Sequence, residues 1–313
     1  MLKRIIIIFC SAIALFCGCK SQRTIALLTD YGWDDPYASA VQGVIVSINP
    51  DARILSLTHA APDYNIREAS YLLATAAREF PRGTIFVAIV DPESGSSRKP
   101  IILETVDQKY FVGPDNGIFT DVIKSFGCKR AVEVNNVLWF RRGGISNTFY
   151  GRDVFAPAAA HLSKGKKMEE AGPAVSEPMQ LDRAAAEYKN SSITGEILHR
   201  DHYGNLITNI PATVLARSGW RAGMELEFLV NKQAVTAKFA ERYNAVGKGE
   251  FVLLLNGQGL LELARFMASA GDSLKAMAGD RVQLRLAGST TSATPSLPTT
   301  AARISAPISE SMK

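Results

Sequence analysis

The sequence predicts an α/β protein: an N-terminal α/β domain with a mostly parallel central sheet, followed by a smaller C-terminal all-β, barrel-like domain. In the first half, runs rich in β-branched residues alternate with apolar runs of helical spacing, and three of the strand-like runs end in acidic turns rich in Gly or Pro. In the second half, short strand-like runs follow one another with turn signals between them. The sequence predicts four segments. Residues 1–22 form a leader (a signal peptide or lipoprotein anchor), and residues 23–188 form the α/β domain with its linker. Residues 189–287 form the barrel-like domain, and residues 288–313 form a disordered tail.

The N-terminal elements follow from periodicity and from helix-stopping prolines, Pro50 and Pro81. The order strand, helix, strand, helix, strand implies parallel strands joined by right-handed crossovers. The predicted strands are residues 24–28, 52–57, 84–90, 100–106 and 110–112, the last two forming a hairpin, and the predicted helices are residues 37–48, 66–80, 118–126 and 154–162.

A polar stretch with Gly-Pro and Glu-Pro breakers, residues 164–190, is predicted to link the two domains. The barrel-like domain is predicted from six strands: residues 192–198, 206–210, 225–230, 234–239, 250–255 and 281–286. After Gly288 the chain is rich in Ser, Thr, Ala and Pro, a composition typical of disorder.

The first twenty residues have the pattern of an export signal. Lys3 and Arg4 precede an apolar run, residues 5–16, that is short for a membrane span and ends in small residues. Cys19 after Gly18 resembles the acylated cysteine of a bacterial lipoprotein; a plain signal peptide or a non-cleaved anchor helix are the alternatives. We therefore expect an exported protein of the periplasm or cell envelope, attached to the membrane only by this N-terminal lipid anchor.

Composition and cysteine usage exclude several classes of function. The chain has 313 residues, is 47% hydrophobic and 21% charged, and its formal charge of +5 comes from scattered residues, so nucleic-acid binding is not indicated. Cys128 is the one cysteine beyond the leader, so the folded body holds no internal disulfide. The four histidines form no Cys/His pattern with the spacing of metal ligands, and we expect no metal.

The acidic turns point to a polar ligand site. Asp30 follows the first strand, Asp91 the third and Asp115 the fifth. Because ligands of open α/β sheets bind at the carboxyl ends of parallel strands, these side chains are expected to converge on one crevice.

Five motifs follow one another along the chain: Thr29-Asp30-Tyr31-Gly32, residues 90–98, residues 111–117, Thr148-Phe149-Tyr150-Gly151-Arg152-Asp153 and residues 201–209. In this order they resemble motifs of the S-adenosyl-L-methionine (SAM) hydroxide adenosyltransferases, which are related to fluorinases and chlorinases. The resemblance spans residues 24–286.

The resemblance implies hydrolysis of SAM to adenosine and methionine, by attack of water or hydroxide at C5′. It implies no cofactor, with SAM as a nucleoside substrate, and a homotrimer whose site lies between the large domain of one subunit and the small domain of its neighbour. Because a sulfonium is a good leaving group, the enzyme must chiefly align the nucleophile and remove its water.

The resemblance also assigns roles in the first domain. Asp30 matches the acid that holds the ribose hydroxyls, although it could instead cap the following helix. Asp91 and Arg98 match the residues that orient water, although they could form an ordinary loop ion pair. Tyr150 stands where hydrolases of the family carry histidine, and a phenol is a poor general base near neutral pH. The catalytic set is therefore Asp91, Arg98 and Tyr150.

The remaining predicted residues bind substrate. Ser94 matches a threonine of the halide pocket in the related halogenases. Tyr64 and Phe149 could wall the C5′ region with apolar surface, although Phe149 could equally be a core residue. In the second domain the matching residues are Asp201, Tyr203 and Asn205 of an acid-aromatic-Gly-Asn turn, and Gly257, Glu262 and Arg265 of the segment along the adenine edge. The turn could be only a hairpin, and Glu262 could be an exposed helix residue.

The sequence is also compatible with two other functions. Tyr150 and Gly257 depart from the family pattern, so the chain could bind SAM or adenosine with weakened turnover. A SAM-dependent halogenase is less favoured, because Gly151 occupies the position where fluorinases use a serine to bind fluoride.

Overall fold

The computed structural model describes residues 23–94 and 98–288, and the chain divides into two compact units. The first unit comprises Met1–Asp63, Phe80–Asp115 and Phe126–Pro178, and the second comprises Tyr64–Glu79, Asn116–Ser125 and Met179–Lys313. Three sequence predictions lie outside the described residues: the leader with its acylated Cys19, the disordered tail after residue 288, and residues 95–97 of the turn that follows Asp91.

The first unit contains a six-stranded sheet, and the prediction of mostly parallel pairing is confirmed. Its order is β2-β1-β3-β5-β4-β6; β2, β1, β3 and β5 are parallel, whereas β4 runs antiparallel to β5 and β6. The strands are β1 Thr24–Thr29, β2 Arg53–Thr58, β3 Ile85–Ile89, β4 Pro100–Thr105, β5 Tyr110–Pro114 and β6 Cys128–Glu133. Strand β6 is not evident from the sequence because its first half, Cys128-Lys129-Arg130, is polar and lies along an edge.

Six α-helices occur in the described ranges: α1 Tyr37–Ile48, α2 Ile66–Ala77, α3 Thr120–Phe126, α4 Ala156–Ser163, α5 Ala212–Ala216 and α6 Ala270–Leu274. In the first unit, α1 and α4 pack on one face of the sheet. Val41 and Ile45 of α1 share a buried cluster with Ile25 and Leu27 of β1 and with alanines of α4. The buried alanines of α4 belong to this cluster, so α4 packs against α1 and against β1 and β3 of the sheet.

A π-helical turn precedes α4, over Gly151–Phe155. The sequence predicts a helix from residue 154, but the regular α-helix starts at Ala156, and Pro157 in its first turn supplies no backbone N–H. Wide turns of this kind frequently occur at functional sites. Here the turn contains the Gly151-Arg152-Asp153 part of the fourth motif.

The second unit contains a closed β-barrel, as the sequence predicts. Seven strands close in the order β8-β9-β13-β12-β11-β10-β14, with β14 pairing back to β8 and with β7 on the outside edge of β8. The strands are β7 Glu187–Lys189, β8 Ser192–Arg200, β9 Leu206–Pro211, β10 Glu225–Val230, β11 Gln233–Phe239, β12 Phe251–Leu255, β13 Leu260–Arg265 and β14 Arg281–Leu286. Ile193, Phe228, Leu261 and Val282 fill the interior.

Helix α2 belongs to the second unit and packs on β8. Asn65 caps its N-terminus by accepting a hydrogen bond from the Glu68 N–H, at 3.1 Å. Tyr71 packs with Leu198, and the Glu68 carboxylate is hydrogen-bonded to His199 Nδ1 at 2.5 Å. The helix ends at Ala77, three residues before the predicted end.

No helix within residues 23–94 and 98–288 has the length and apolar character needed to cross a membrane.

The stacking of Phe86 on Phe111 makes the first unit sensitive to truncation there. Both side chains are fully buried, and their rings lie 4.8 Å apart and nearly parallel. Replacing Phe86 with alanine leaves a cavity, and we expect Phe86→Ala to lower the free energy of unfolding by about 3–5 kcal/mol in urea denaturation. Val137→Ala is the control because Val137 is 73% exposed, and it should change stability by less than about 0.5 kcal/mol. Equal effects of the two substitutions would contradict this packing.

Candidate active site

The turn after β1 is held in place by a buried histidine. His59 is fully buried, and its Nδ1 and Nε2 are hydrogen-bonded to Thr29 Oγ1 at 2.9 Å and Ser56 Oγ at 2.8 Å. Its backbone carbonyl accepts a hydrogen bond from the Gly32 N–H at 2.7 Å. Burial lowers the pKa of His59, which keeps the ring neutral, with one nitrogen donating and the other accepting. These bonds fix the backbone on both sides of Asp30.

Asp91 and Arg98 form an ion pair at the end of β3. Arg98 Nη2 lies 3.0 Å from Asp91 Oδ1 and 3.1 Å from Glu93 Oε2. The Asp91 side chain is only 7% exposed, whereas that of Glu93 is 72% exposed, so the inner contact is the one shielded from water. Ser94 closes this turn, because its N–H donates to the Asp91 carbonyl at 3.1 Å.

Burial sets the electrostatics of Asp91. Removal from water raises its pKa above the ordinary value for aspartate, Arg98 opposes this rise, and the charges of Glu93 and Asp30 add to it. A carboxylate with a raised pKa is a stronger proton acceptor, and the adjacent guanidinium favours its charged form. The influence of Asp30 indicates that the first two acidic turns lie close together, as predicted for neighbouring parallel strands.

Phe149 and Tyr150 enter the same region from the segment before the π-helical turn. The Phe149 ring packs edge-on against Tyr31, at 5.9 Å, and Tyr37, at 5.5 Å, so Phe149 takes part in an aromatic cluster of the first unit. Tyr150 is partly buried and packs against the core of this unit. The structure thus brings Asp30, Asp91, Ser94, Arg98, Phe149 and Tyr150 together in one unit.

A buried acid anchors this segment. Asp153 is fully buried and accepts hydrogen bonds from Arg152 Nε at 2.7 Å, from Arg152 Nη2 at 2.8 Å and from the Ser146 N–H at 2.8 Å. Burial raises the pKa of Asp153, but the hydrogen bonds and the charges of Arg152 and Arg141 outweigh it, so the pKa lies below the ordinary range. The carboxylate therefore stays charged and holds the loop before Phe149 and the turn after it.

In the second unit, Asp201 organises the turn between β8 and β9. Its Oδ1 accepts hydrogen bonds from the N–H groups of Tyr203 at 3.0 Å and Asn205 at 2.8 Å, and its Oδ2 accepts one from Asn205 Nδ2 at 2.9 Å. Gly204 has φ +83°, and a Cβ there would lie 2.1 Å from Ser269 Oγ. Only glycine suits this position on both grounds. The turn presents Tyr203, 76% exposed, to solvent.

Beside this turn lies a cavity of about 580 Å³, the size of a small-molecule site. Its lining residues are Asp201, Tyr203, Asn205, Tyr243, Arg265, Phe266, Met267, Ala268 and Ser269. The Tyr243 hydroxyl donates to Glu262 Oε1 at 2.8 Å. Burial and then the charge of Asp201 raise the pKa of Glu262, while hydrogen bonds from Tyr243 and Asn256 oppose the rise. Two neighbouring acids make this part of the unit favourable for a cationic group.

Glu262 and Arg265 have structural partners within the second unit. Glu262 is 3% exposed on strand β13, so its alternative interpretation as an exposed helix residue is wrong. Arg265 lines the cavity, but its guanidinium donates to the Gly249 carbonyl at 2.7 Å and to Ser273 Oγ at 2.8 Å.

Gly257 and Tyr64 lie apart from this lining. Gly257 sits in the turn between β12 and β13, where a Cβ would meet no atom within 4 Å. Tyr64 belongs to the second unit, is 72% exposed and has φ +60°, directly before the α2 cap. Phe149, its predicted companion at C5′, belongs to the first unit.

The sequence does not single out three residues of these sites: Tyr31, His59 and Tyr243. Tyr31 stands inside a recognised motif, which is a usable signal. His59 and Tyr243 lie in no motif, and only the fold brings His59 to Thr29 and Tyr243 to Glu262.

Among the described residues, no group of three or more His, Cys, Asp or Glu side chains could hold a metal ion. The chemistry available from the first unit is a shielded carboxylate beside a guanidinium, which can accept a proton from water and orient it. The second unit supplies acids beside an open cavity, which can hold a cation.

Three known proteins are similar to this chain over most of its length. An (R)-S-adenosyl-L-methionine hydrolase of Methanocaldococcus jannaschii is 32% identical over 275 residues, which cover 83% of this chain and 95% of the relative. A fluorinase of Nocardia brasiliensis is 27% identical, covering 84% of this chain and 96% of the relative. The crystal structure of an uncharacterized conserved protein from Thermotoga maritima superposes with a TM-score of 0.80 at 33% identity, covering 83% of this chain and 99% of that one.

Family models give the same result for both halves of the chain. The model of the SAM hydroxide adenosyltransferase N-terminal domain matches residues 25–172, and that of the C-terminal domain matches residues 195–283. Together they cover most of the sequence and include the motifs that carry the site residues of both units. The chain belongs to the SAM hydroxide adenosyltransferase family.

Proposed function

We propose that this protein hydrolyses SAM to adenosine and L-methionine. The observation that carries the proposal is the shielded Asp91–Arg98 pair beside Asp30, in a chain whose two halves both match this family. The oxygen of water bonds to C5′, the C5′–S bond breaks, and its electron pair stays on sulfur as the thioether of methionine. One proton of the water passes to the Asp91 carboxylate.

Each residue has a physical task in this reaction. Asp30 accepts hydrogen bonds from the two ribose hydroxyls, and Arg98 keeps Asp91 charged and oriented. In the second unit Asp201 attracts the methionine ammonium group, and Asn205 and the cavity beside it bind the adenine. Holding the sugar and the water in line accounts for most of the rate gain, because the sulfonium is already a good leaving group.

The space at Gly151 favours water over halide as the nucleophile. A Cβ at this position would lie 2.3 Å from the Tyr31 hydroxyl oxygen, so a serine side chain does not fit without displacing Tyr31. The serine that would bind fluoride in the related fluorinases therefore has no room here.

Purified protein incubated with SAM should form adenosine and methionine in equal amounts, as measured by chromatography. We expect Asp91→Asn to lower kcat by about 100-fold or more, because it removes the proton acceptor, while KM changes little. Glu93→Gln is the matched control because Glu93 is exposed and contacts the same guanidinium, and it should retain most of the activity. Calorimetry showing SAM binding without either product would identify a binding protein instead.

The pH dependence tests the same assignment. Activity requires the charged form of Asp91, so it should fall as the pH drops through the pKa of this group in the folded protein. Because burial raises that pKa, the midpoint of the acid limb should lie above the ordinary value of about 3.9. An acid limb that persists unchanged in the residual activity of Asp91→Asn would assign it to another group.

We also propose that the chain forms a homotrimer in which a neighbouring copy completes each site. The proposal is supported by family membership and by the presence of functional residues in both units. Asp91→Asn and Asp201→Asn should each be nearly inactive alone. Dissociating and reassembling a mixture of the two should restore roughly a quarter of the wild-type rate, because each site then draws its two halves from different copies. Mixtures with no more activity than their components would show that each copy forms its own site.

Finally, we propose that residues 1–20 direct export and that Cys19 is acylated, on the basis of the basic, apolar and small-residue pattern of this segment. Cells grown with radiolabelled palmitate should label the wild-type protein, and Cys19→Ala should abolish the label. Cys128→Ala is the control because Cys128 lies in the folded body, and it should keep the label. Absence of label in the wild-type protein would refute acylation.

A further inference from the structure

The Tyr31 ring is fixed directly beside the first acidic turn. It is partly buried and packs against Phe149 at 5.9 Å and against Tyr37 at 5.8 Å. Its N–H donates to Thr29 Oγ1 at 3.3 Å, so the backbone is tied to the group that His59 holds. With both ring and backbone restrained, the position of the hydroxyl is well determined.

The Tyr31 hydroxyl lies against the backbone of Gly151. A Cβ at Gly151 would lie 2.3 Å from Tyr31 Oη, 3.4 Å from its Cζ and 3.2 Å from Ile89 Cδ1. The φ angle of Gly151 is not positive, so the backbone conformation does not require glycine at this position. The hydroxyl itself occupies the space that a side chain would need, immediately after Tyr150.

The charges of two carboxylates, Asp30 and Asp91, act on this hydroxyl. Burial, followed by the charges of Asp30 and Asp91, raises the pKa of Tyr31 above its ordinary value. The phenol therefore keeps its proton over the working pH range and can both donate and accept a hydrogen bond. Within the part of the chain that the structure describes, Tyr31 Oη makes no hydrogen bond to the protein, and it remains available to a small polar species.

We propose that the Tyr31 hydroxyl holds the attacking water of the hydrolysis, an inference that rests on the proposed function. One hydrogen of the water faces the Asp91 carboxylate and the other faces Tyr31 Oη, which leaves an oxygen lone pair directed at C5′. The departing proton goes to Asp91, and Tyr31 neither gains nor loses one. Gly151 serves this arrangement by leaving room for the hydroxyl.

Substitution of Tyr31 by phenylalanine separates the hydroxyl from the packing of the ring. Tyr31→Phe should lower kcat for adenosine formation by about tenfold or more, roughly the worth of one hydrogen bond to a reacting group, while KM for SAM changes less than about threefold. The acid limb of the pH profile should persist, because Asp91 remains the proton acceptor. Tyr110→Phe, which removes a hydroxyl at the opposite end of the same sheet, should leave kcat unchanged.

A double-mutant cycle tests the placement without measuring activity. Gly151→Ala should lower the thermal unfolding midpoint in the wild-type background, because the new methyl group collides with the hydroxyl. In the Tyr31→Phe background the new methyl group meets Ile89 Cδ1 at 3.2 Å and the ring carbon Cζ at 3.4 Å, so most of the loss should disappear. Equal losses in both backgrounds would overturn the placement of the hydroxyl.

The outcomes separate this inference from the function on which it rests. A wild-type protein that turns over SAM, together with Tyr31→Phe of unchanged kcat, overturns the role of Tyr31 alone. A wild-type protein that forms no adenosine from SAM overturns both. A reduced kcat with unchanged SAM affinity, together with the predicted coupling to position 151, establishes the water-holding role.

Discussion

The pairing of Asp91 with Arg98 is the interaction on which the proposed chemistry depends. A carboxylate shielded from water to this degree is costly unless a cation compensates it, and Arg98 does so at 3.0 Å. Arg98 does not fully compensate the cost of burying this charge, because burial and the charge of Asp30 still leave the pKa of Asp91 above its ordinary value. In the proposed reaction, the raised pKa makes the Asp91 carboxylate a better proton acceptor, while Arg98 keeps it oriented. The strand before it, β3, is buried along its whole length and gives the pair a rigid base.

The buried side chains around this pair mainly hold the backbone of the neighbouring turns in position. His59 ties the turn after β1 to strand β2 through Thr29 and Ser56, and Asp153 ties the loop before Phe149 to the π-helical turn. Each uses a fully buried side chain whose hydrogen bonds are satisfied within the first unit. A site that must align a sugar carbon with one water tolerates little movement, so such restraint bears directly on rate.

The second unit contributes two neighbouring acidic side chains, Asp201 and Glu262, rather than an ion pair. Its turn at Asp201 is held by three hydrogen bonds to one carboxylate, and the neighbouring Glu262 adds a second acid whose pKa is raised. Acids that crowd one another favour an approaching cation, and SAM carries two positive centres, its ammonium and its sulfonium. In the proposed function, binding of the cationic groups of the substrate and activation of water therefore depend on separate groups of residues, one in each unit.

Much of the fold could be read from the chain. Alternation of strand-like and helix-like runs predicts the mostly parallel sheet, because strands buried on both faces must be apolar throughout and their helices must present one apolar face. The short strand-like runs of the second half, with turn signals between them, predict the barrel. The sequence does not predict three strands: β6 starts with polar residues on an edge, β7 has three residues and lies within the predicted linker, and β13 carries the charged Glu262, whose partner Tyr243 lies nineteen positions earlier.

The sequence by itself determined the family, the acidic turns and most residues of the candidate site, because each motif is local and its residue types follow from the chemistry of the ligand. Only the tertiary structure decided which groups surround and hold those residues. It placed the Tyr31 hydroxyl against Gly151, brought His59 behind the turn at Asp30 and engaged Arg265 in hydrogen bonds with Gly249 and Ser273. These are relations of distance and available space between residues far apart in the chain, and no local pattern encodes them.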